Sequence, residues 1–410
     1  MDFTPSAQSQ ALLNRLDRFL SDELFPREAS LRASNRHLNA GDDWRQWRVL
    51  PELEDLKIRA RAEGLWNLFL PDARLGAGLS TLEYAPLAEL MGRSELAPEI
   101  FNCNAPDTGN MEVLYHFGSA WQKETFLQPL LEGQARSVFC MTEPEVASSD
   151  ATNLQATIEV EGDDLILRGR KWWSTGLGHP NARFAIFMGL SNPEAERHER
   201  HSMVLVPLDA PGVRIERMLP LLGEYDAPYG HGEVVFDAVR VPASHLIVGH
   251  GAGFLIAQGR LGPGRIHHCM RAIGAAERVL ELTMERGLHR VAFGKPLLRL
   301  GGNLERVAEA RMAIDQARLL TLYAAWKMDK VGVREAMSEI SAIKVIAPRV
   351  LEQVVDFAIQ VHGAAGVCQD TPLAGCLAMA RALRLADGPD DVHRSMVARR
   401  ELRKYKTGER

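Results

Sequence analysis

Apolar residues recur at helical spacing through the first 135 residues of the chain. The two clearest runs are Leu12, Leu13, Leu16, Phe19 and Leu20, and Leu82, Tyr84, Leu87, Leu90 and Met91. Side chains three or four positions apart share one face of an α-helix, so this pattern predicts amphipathic helices. Residues 1–135 are therefore interpreted as an N-terminal α-helical domain.

The pattern changes near residue 136 to short β-branched and aromatic runs with turn residues between them. These runs lie at 157–160, 165–167, 184–190, 201–208 and 232–242. Short runs of this kind bounded by turn residues predict strands. Residues 136–248 are therefore interpreted as a middle, mostly antiparallel β-domain.

Long helical patterns return after the glycine-rich stretch 249–264. They cover about 266–288, 303–329, 335–362 and 390–405. Helices of this length pack side by side in bundles, whose outer faces often serve subunit contacts. Residues 249–410 are interpreted as a C-terminal four-helix bundle, and the order of helices, strands and helices gives the fold class α+β.

Charge and targeting patterns narrow the function. The 410 residues include 48 Lys and Arg against 53 Asp and Glu, a formal net charge of −5, which provides no global field for nucleic acid or anionic membranes. No apolar run approaches the roughly 20 residues of a membrane span, and the first residues have no signal or transit pattern, so a cytoplasmic location is expected. Five scattered cysteines without a CxxC pair indicate neither disulfides nor a metal site.

Two polar clusters in the β-domain carry the candidate chemistry. Residues 139–150 read Phe-Cys-Met-Thr-Glu-Pro-Glu-Val-Ala-Ser-Ser-Asp, and residues 171–176 read Lys-Trp-Trp-Ser-Thr-Gly. Alone, the first cluster is as typical of a turn that caps its own backbone as of a binding loop. Adjacent tryptophans beside hydroxyl donors form a flat apolar wall that suits a planar heteroaromatic ligand, which favours binding.

Together with three later segments, these clusters make the sequence resemble the acyl-CoA dehydrogenase family. The later segments are Arg-Val-Ala-Phe-Gly-Lys at 290–295, Gln-Val-His-Gly-Ala-Ala-Gly-Val at 360–367 and Leu-Ala-Asp-Gly-Pro-Asp-Asp-Val-His at 385–393. The similarity is greatest to the dehydrogenase domain of the family members numbered ten and eleven, in which a kinase-like domain precedes it. No kinase segment is present here, so a free-standing form is expected.

The resemblance implies a fold of helices, a β-barrel and a four-helix bundle, with noncovalently bound FAD. It also implies a homodimer or homotetramer that shares each FAD across an interface, and an electron-transferring flavoprotein as oxidant. The cofactor-binding residues it implies in the β-domain are Phe139, Met141, Thr142, Ser148, Ser149, Trp173, Ser174 and Thr175. Hydroxyls and backbone amides can satisfy phosphate oxygens, and a hydroxyl near flavin N5 can stabilise the charge that hydride transfer leaves.

The resemblance places five more cofactor contacts in the C-terminal region. Arg290 and Phe293 of a neighbouring subunit would lie near an FAD phosphate and on the adenine ring. Gln360, Gly363 and Ala364 would line the adenosine and pyrophosphate path. Taken singly, Arg290 would more often be a solvated surface charge and Phe293 more often a core residue, and the glycine motif after Gln360 is also typical of a helix C-cap.

The catalytic base is expected at Asp387. Removal of a thioester α-proton requires a carboxylate near Cα and donors at the carbonyl oxygen. In the family the base usually lies in a Tyr-Glu-Gly-Thr segment, and the matching segment here is Ala-Asp-Gly-Pro at 386–389. Aspartate is one methylene shorter than glutamate and reaches roughly 1.5 Å less far. The alternative is that Asp387 caps the next helix in a chain that has lost catalysis.

Substrate contacts are expected at Ser149, Arg265, His267 and His268. The resemblance places Arg265 at the thioester end of the acyl-CoA channel, and the two histidines follow it on the same helical turn. The alternative for Arg265 is an ion pair with a surface acid. No metal ion is expected.

The leading hypothesis is FAD-dependent oxidation of an acyl-CoA thioester to trans-2-enoyl-CoA, by α-proton abstraction and β-hydride transfer to flavin N5, as in fatty acid β-oxidation. The kinase-fused relatives imply a close alternative, in which phosphate is eliminated from a 4-phosphorylated hydroxyacyl-CoA held by Arg265, His267 and His268. A noncatalytic flavin- or CoA-binding subunit and a flavin monooxygenase are hypotheses from other classes. Neither requires Asp387 as a base.

Overall fold

The computed structural model describes residues 2–407. Its α-helices are α1 (Ala7–Phe19), α2 (Glu28–Leu38), α3 (Pro51–Ala62), α4 (Thr81–Gly92), α5 (Ala97–Ile100), α6 (Asp107–Phe117), α7 (Ala120–Gln122), α8 (Gln128–Leu131), α9 (Gly253–His289), α10 (Asn303–Glu335), α11 (Met337–His362), α12 (Leu373–Leu383) and α13 (Asp390–Thr407). Short π-helical segments follow α1 and α7.

The strands lie between α8 and α10. They are β1 (Arg136–Cys140), β2 (Thr157–Glu161), β3 (Asp164–Thr175), β4 (Ala182–Leu190), β5 (His201–Pro207), β6 (Val213–Met218), β7 (His231–Pro242), β8 (Val291–Ala292) and β9 (Lys295–Pro296). The first seven form one sheet in the order β1-β4-β2-β3-β7-β6, with β5 paired to β4. Only the pairings of β4 with β1 and β2 are parallel in the described sheet.

The chain divides into two compact units. The sheet unit contains residues 27–77 and 99–261, and the helical unit contains residues 2–26, 78–98 and 262–407. The core of the sheet unit includes alternating residues of β3, β4 and β7 together with the buried indole of Trp47. In the helical unit, α11 packs against α10, α12 and α13, and α4 packs against α1 and α10.

Helix α9 begins at Gly253, thirteen residues before the predicted start near 266. Glycine has low helix propensity, which is why the sequence suggested a break here. The structure shows that Gly259 and Gly262 serve close packing instead. A Cβ added to Gly259 would lie 3.1 Å from the Phe117 ring, and one added to Gly262 would lie 2.7 Å from the Val333 side chain.

The order of N-terminal helices, a middle sheet and C-terminal helices confirms the predicted α+β fold class. Helices α10, α11 and α13 correspond to three of the predicted C-terminal helices, whereas α12 was not predicted. Among residues 2–407, no helix has both the length and the apolar character needed to cross a membrane.

Candidate functional site

The loop that follows β1 is held by a buried lysine from β3. Lys171 is fully buried, and its Nζ donates to the carbonyl oxygens of Met141 and Met188 at 2.9 and 2.7 Å. The same Nζ donates to Glu143 Oε1 at 2.7 Å. Burial lowers the pKa of Lys171, and the Glu143 carboxylate opposes this shift. The loop at 141–150 is thereby tied to the sheet.

The hydroxyl groups of this loop have different environments. Ser148 Oγ accepts a hydrogen bond from the backbone N–H of Glu143 at 2.8 Å, which closes a turn inside the loop. Thr142 and Ser149 are exposed. The structure therefore gives Ser148 a structural partner and presents the other two residues to solvent. Their contacts with a cofactor, and the substrate contact of Ser149, stay predictions.

A β-bulge in β3 separates the two neighbours Trp173 and Ser174. The pairing of β3 with β7 changes register between Lys171 and Ser174, and Trp173 has a φ of +51°. Bulges redirect side chains, and a left-handed conformation costs a non-glycine residue roughly 1–2 kcal/mol. Trp173 is 39% exposed, whereas Ser174 is buried with its side chain next to Cys140. The indole thus faces outward and Ser174 faces the core.

Thr175 is linked to a histidine on the neighbouring strand. Thr175 Oγ1 lies 3.0 Å from His231 Nδ1, and His231 Nε2 lies 3.6 Å from Asp226 Oδ2. Burial lowers the pKa of His231 to about 4, so the ring is neutral at neutral pH. A hydroxyl can donate or accept, so Thr175 can take either role in its contact with His231 Nδ1. The rings of Trp173 and His231 are 5.6 Å apart, so these four side chains form one cluster.

Phe139 is covered on one side by a guanidinium group. Arg260 Cζ lies 4.0 Å from the centre of the Phe139 ring, and Arg260 Nε donates to Asn110 Oδ1 at 3.1 Å. Gly109 makes room for this side chain, because a Cβ there would lie 3.0 Å from Arg260 Nε. Burial raises the pKa of Glu112 to about 8 despite the charge of Arg260. A cation–π contact therefore fixes the Phe139 ring.

Asp387 lies in a left-handed turn between α12 and α13. Its φ is +54°, and the φ of Gly388 is +102°. The carbonyl oxygen of Asp387 accepts from Arg265 Nε at 3.1 Å and lies 3.2 Å from His393 Nε2. Helix α13 begins at Asp390, three residues after Asp387. Asp387 is therefore not the N-cap residue of α13.

The Asp387 carboxylate is half-buried and faces α9. Its Oδ2 lies 3.6 Å from His268 Nε2, and His268 Nδ1 lies 3.2 Å from a terminal nitrogen of Arg271. The positive charges of Arg265 and Lys344 are close enough to interact with this carboxylate. Both cations are buried, which lowers the pKa of each. Asp387 therefore lies among basic groups from two helices.

Two further basic residues of the helical unit, Lys344 and His267, are also buried. Lys344 Nζ donates to the carbonyl oxygen of Leu383 at the end of α12. His267 packs edge-on against Tyr84, with ring centres 4.8 Å apart. Burial lowers the pKa of His267 well below its ordinary value, with the charge of Arg271 acting in the same direction. His267 is thus neutral at neutral pH, and its contact with substrate stays a prediction.

The remaining predicted cofactor residues lie at exposed ends of the helical unit. Strands β8 and β9 form a hairpin with Phe293 at its tip, where φ is +50° and the side chain is 94% exposed. Arg290, just before this hairpin, is also exposed. Gln360, Gly363 and Ala364 are exposed where α11 ends. An aromatic ring so fully in water is available to a second molecule.

The structure brings Trp173 and Thr175 together, and it brings Arg265, His268 and Asp387 together. Sequence reasoning missed His231, Arg271 and Lys344 as neighbours of these residues. Lys344 had a detectable signal, because it is the polar member of the spacing Ile340, Lys344, Ala347 and Leu351 on the apolar face of α11. His231 had none, since 56 residues separate it from Thr175.

Three family models match consecutive parts of the chain. The N-terminal, middle and C-terminal domains of acyl-CoA dehydrogenase match residues 6–134, 138–239 and 251–402. These matches cover most of the chain and follow the order of its helical, sheet and helical regions.

Individual proteins resemble the chain over nearly its whole length. "Probable acyl-CoA dehydrogenase FadE2" of Mycobacterium tuberculosis is 50% identical over 408 residues, which are 99% of this chain and 98% of that protein. "Acyl-CoA dehydrogenase family member 11" of Gallus gallus is 51% identical over 402 residues, which are 98% of this chain. The chain spans 51% of that longer relative. The solved "putative acyl-CoA dehydrogenase" of Mycobacterium abscessus is 60% identical, with a TM-score of 0.95 over 98% of this chain and 100% of that one.

Proposed function

The chain belongs to the acyl-CoA dehydrogenase family, and we propose that it oxidises an acyl-CoA thioester to a trans-2-enoyl-CoA with FAD as cofactor. The observation that carries this proposal is the Asp387 carboxylate, which is half-buried beside His268 and whose backbone carbonyl is held by Arg265 and His393. A carboxylate held in this way has the chemistry of a general base.

The residues of the sheet unit fit a flavin. Trp173 offers an exposed apolar ring, and Thr175 beside it offers a hydroxyl whose hydrogen bond is organised by His231. Exposed Thr142 and Ser149 offer further hydroxyl and backbone groups of the kind that phosphate oxygens accept from. We assign these residues to the cofactor together with Phe139, Met141, Ser148 and Ser174.

In the proposed reaction Asp387 removes the proton from the carbon next to the thioester. The C–H bond breaks, an O–H bond forms on the carboxyl group, and the electron pair moves toward the thioester carbonyl. FAD, when bound, supplies the acceptor for the β-hydride. Arg265 offsets part of the negative charge near the carboxylate.

Assembly and electron transfer complete the proposal. The exposure of Phe293 and Arg290 supports a homodimer or homotetramer in which these residues reach a neighbouring subunit's FAD, with Gln360, Gly363 and Ala364 along the same path. We propose an electron-transferring flavoprotein as oxidant. We also propose functional domains at 1–135, 136–248 and 249–410. The chain spans about half the length of the family member 11 relative, so its substrates and partners are proposals.

Elimination of phosphate from a 4-phosphorylated hydroxyacyl-CoA is the less favoured candidate. It was based on Arg265, His267 and His268 as cationic groups. His267 is neutral because burial lowers its pKa, so it adds no positive charge for a phosphate group. The neutral His267 is the reason that this candidate is less favoured.

Rapid mixing of the purified holoprotein with acyl-CoAs of increasing chain length tests the proposed function. We expect loss of the oxidised flavin absorbance together with formation of the enoyl product and no inorganic phosphate. Release of phosphate from a 4-phosphorylated substrate without net flavin reduction would support the alternative. Absence of any bleaching, with FAD bound, would support a noncatalytic subunit and overturn the proposal.

A further inference from the structure

A line of three polar side chains leads from the middle of α9 to Asp387. A terminal nitrogen of Arg271 lies 3.2 Å from His268 Nδ1, and His268 Nε2 lies 3.6 Å from Asp387 Oδ2. All three residues belong to the helical unit. Both ring nitrogens of His268 therefore face a group whose hydrogen-bonding character is known.

Arg271 determines which nitrogen of His268 carries the proton. A guanidinium has five N–H donors, has no acceptor and does not deprotonate in proteins. His268 Nδ1 must therefore be the acceptor in this contact, so the proton of the neutral ring is on Nε2. A second proton on Nδ1 would place two N–H groups against each other.

The Nε2–H of His268 consequently points at the Asp387 carboxylate. The separation of 3.6 Å exceeds a normal hydrogen bond by a few tenths of an ångström, a looseness that is common in catalytic sites before substrate binds. A neutral donor restricts rotation of the carboxyl group without forming an ion pair that would hold its charge. One oxygen of the carboxylate is then oriented by His268.

The other groups around Asp387 have different roles. Arg265 of α9 and Lys344 of α11 contribute positive charge, and Cys269 is a thiol because burial raises its pKa to about 12. His393 of α13 is neutral at neutral pH, because burial lowers its pKa to about 4. Arg265 and His393 contact the backbone carbonyl of Asp387, and the charge of Arg265 also acts on the carboxylate. His268 differs from both in that its ring nitrogen faces a carboxylate oxygen.

We propose that His268 is a positioning residue that orients the Asp387 carboxylate, and that Arg271 enables this by fixing the proton of His268 on Nε2. This assignment replaces the direct substrate contact that the sequence suggested for His268. It rests on the proposed function, because it requires Asp387 to act as the base.

An acyl-CoA analogue with sulfur in place of the β-carbon isolates the step in question. Its α-proton can be removed, but it has no β-hydride to transfer. We would measure exchange of that α-proton with D2O by NMR on the FAD-loaded protein, and analogue affinity by titration. FAD absorbance and thermal melting of each variant show whether the fold and the cofactor are retained.

His268→Leu is expected to slow exchange by about 10- to 100-fold, the range associated with a misplaced catalytic group, while analogue affinity changes by less than about two-fold. His268→Gln keeps an N–H near the position of Nε2 and should restore most of the rate. Arg271→Met frees the tautomer and should give an intermediate loss, whereas Arg271→Lys keeps a donor and should stay near the native rate. His37→Ala, at an exposed histidine of α2, is the matched control and should have no effect.

Native exchange in His268→Leu would overturn the inference, as would a loss of affinity that accounts for the whole loss of rate. The latter result would return His268 to substrate binding. If the native protein binds FAD and analogue but exchanges no α-proton, the proposed function itself fails. That result differs from failure of the inference, in which the native protein exchanges and the variants match it.

Discussion

The sheet unit and the helical unit each contain a histidine beside a carboxylate at the same distance. His231 Nε2 lies 3.6 Å from Asp226 Oδ2, and His268 Nε2 lies 3.6 Å from Asp387 Oδ2. The two pairs differ in what faces Nδ1. A hydroxyl, Thr175, can donate or accept, whereas a guanidinium can only donate. The third partner therefore decides how firmly the proton of each histidine is fixed.

Each unit also contains a buried lysine, Lys171 in the sheet unit and Lys344 in the helical unit. Lys171 ties the loop at 141–150 to the sheet, and it is paired with the Glu143 carboxylate and two carbonyl groups. Lys344 donates to a backbone carbonyl at the end of α12. The loop at 141–150 is thus held through a direct ion pair, whereas the end of α12 is held through a backbone carbonyl.

The two carboxylates are expected to differ most in their effect on the rate of flavin reduction. Asp387→Asn should lower the rate of flavin bleaching by acyl-CoA by about 10²- to 10⁴-fold, because it removes the general base. Asp226→Asn, the matched change in the other cluster, should cost less than about three-fold, because Asp226 acts on Thr175 only through His231. Rapid-mixing absorbance measures both. Equal losses would show that the two carboxylates are not distinct in role.

The two lysines allow a second test, on stability. Lys171→Met should lower the free energy of unfolding by about 3–5 kcal/mol, because it leaves the Glu143 carboxylate buried without its charged partner. Lys344→Met should cost about 1–3 kcal/mol, the price of an unsatisfied buried acceptor. Chemical denaturation followed by tryptophan fluorescence gives both values. A larger loss for Lys344 would contradict the greater weight given to the ion pair of Lys171.

Thr175 tests whether the sheet cluster acts on a bound flavin. Thr175→Val should lower the two-electron reduction potential by about 30 to 60 mV, which corresponds to loss of a hydrogen bond of about 1.5–3 kcal/mol to a charged group. Thr175→Ser keeps the hydroxyl and should stay close to the native potential. Spectroelectrochemical titration measures both. An unchanged potential in the valine variant would remove Thr175 from the cofactor contacts.

The last expected effect concerns the protonation of His231. Burial lowers its pKa to about 4 from the ordinary 6.5, so the folded state binds fewer protons than the unfolded chain between these values. The stability contributed by the neutral ring is complete above about pH 6.5 and is lost as the pH falls toward 4. His231→Asn should flatten this dependence by up to about 1.4 kcal/mol per pH unit.

Urea denaturation at several pH values between 4 and 6.5 measures that slope. His37→Asn, at an exposed histidine, should leave it unchanged. An unchanged slope in the His231 variant would show that its ring titrates as it does in the unfolded chain.

Much of the fold could be predicted because long amphipathic helices and short strands between turns have distinct periodicities. Helices α10, α11 and α13 were found in this way. The first turns of α9 were not found, because the low helix propensity of glycine favours a break there. Only the structure shows that Gly259 and Gly262 are helical residues packed closely against other side chains. The physical reason is that helix propensity reflects the local sequence only and contains no information on tertiary contacts.

In the candidate site, too, the sequence motif showed some features and only the structure showed others. The position of Asp387 followed from an ordered motif, and its burial beside Arg265 agrees with that motif. The pairing of Thr175 with His231 depends on the register of β3 with β7, and the orientation of His268 depends on Arg271 one helical turn later. Sequence order brought these residues into view without showing which atoms face each other.

Gly388 shows how a residue without a functional group can be indispensable. A Cβ at this position would stand 2.9 Å from His393 Nε2, and the φ of +102° is one that other amino acids rarely adopt. A saturation library across this turn should therefore be depleted of every replacement at codon 388, including alanine. A screen for active clones would then identify Gly388 as essential, although the direct cause of lost activity would be displacement of the His393 ring.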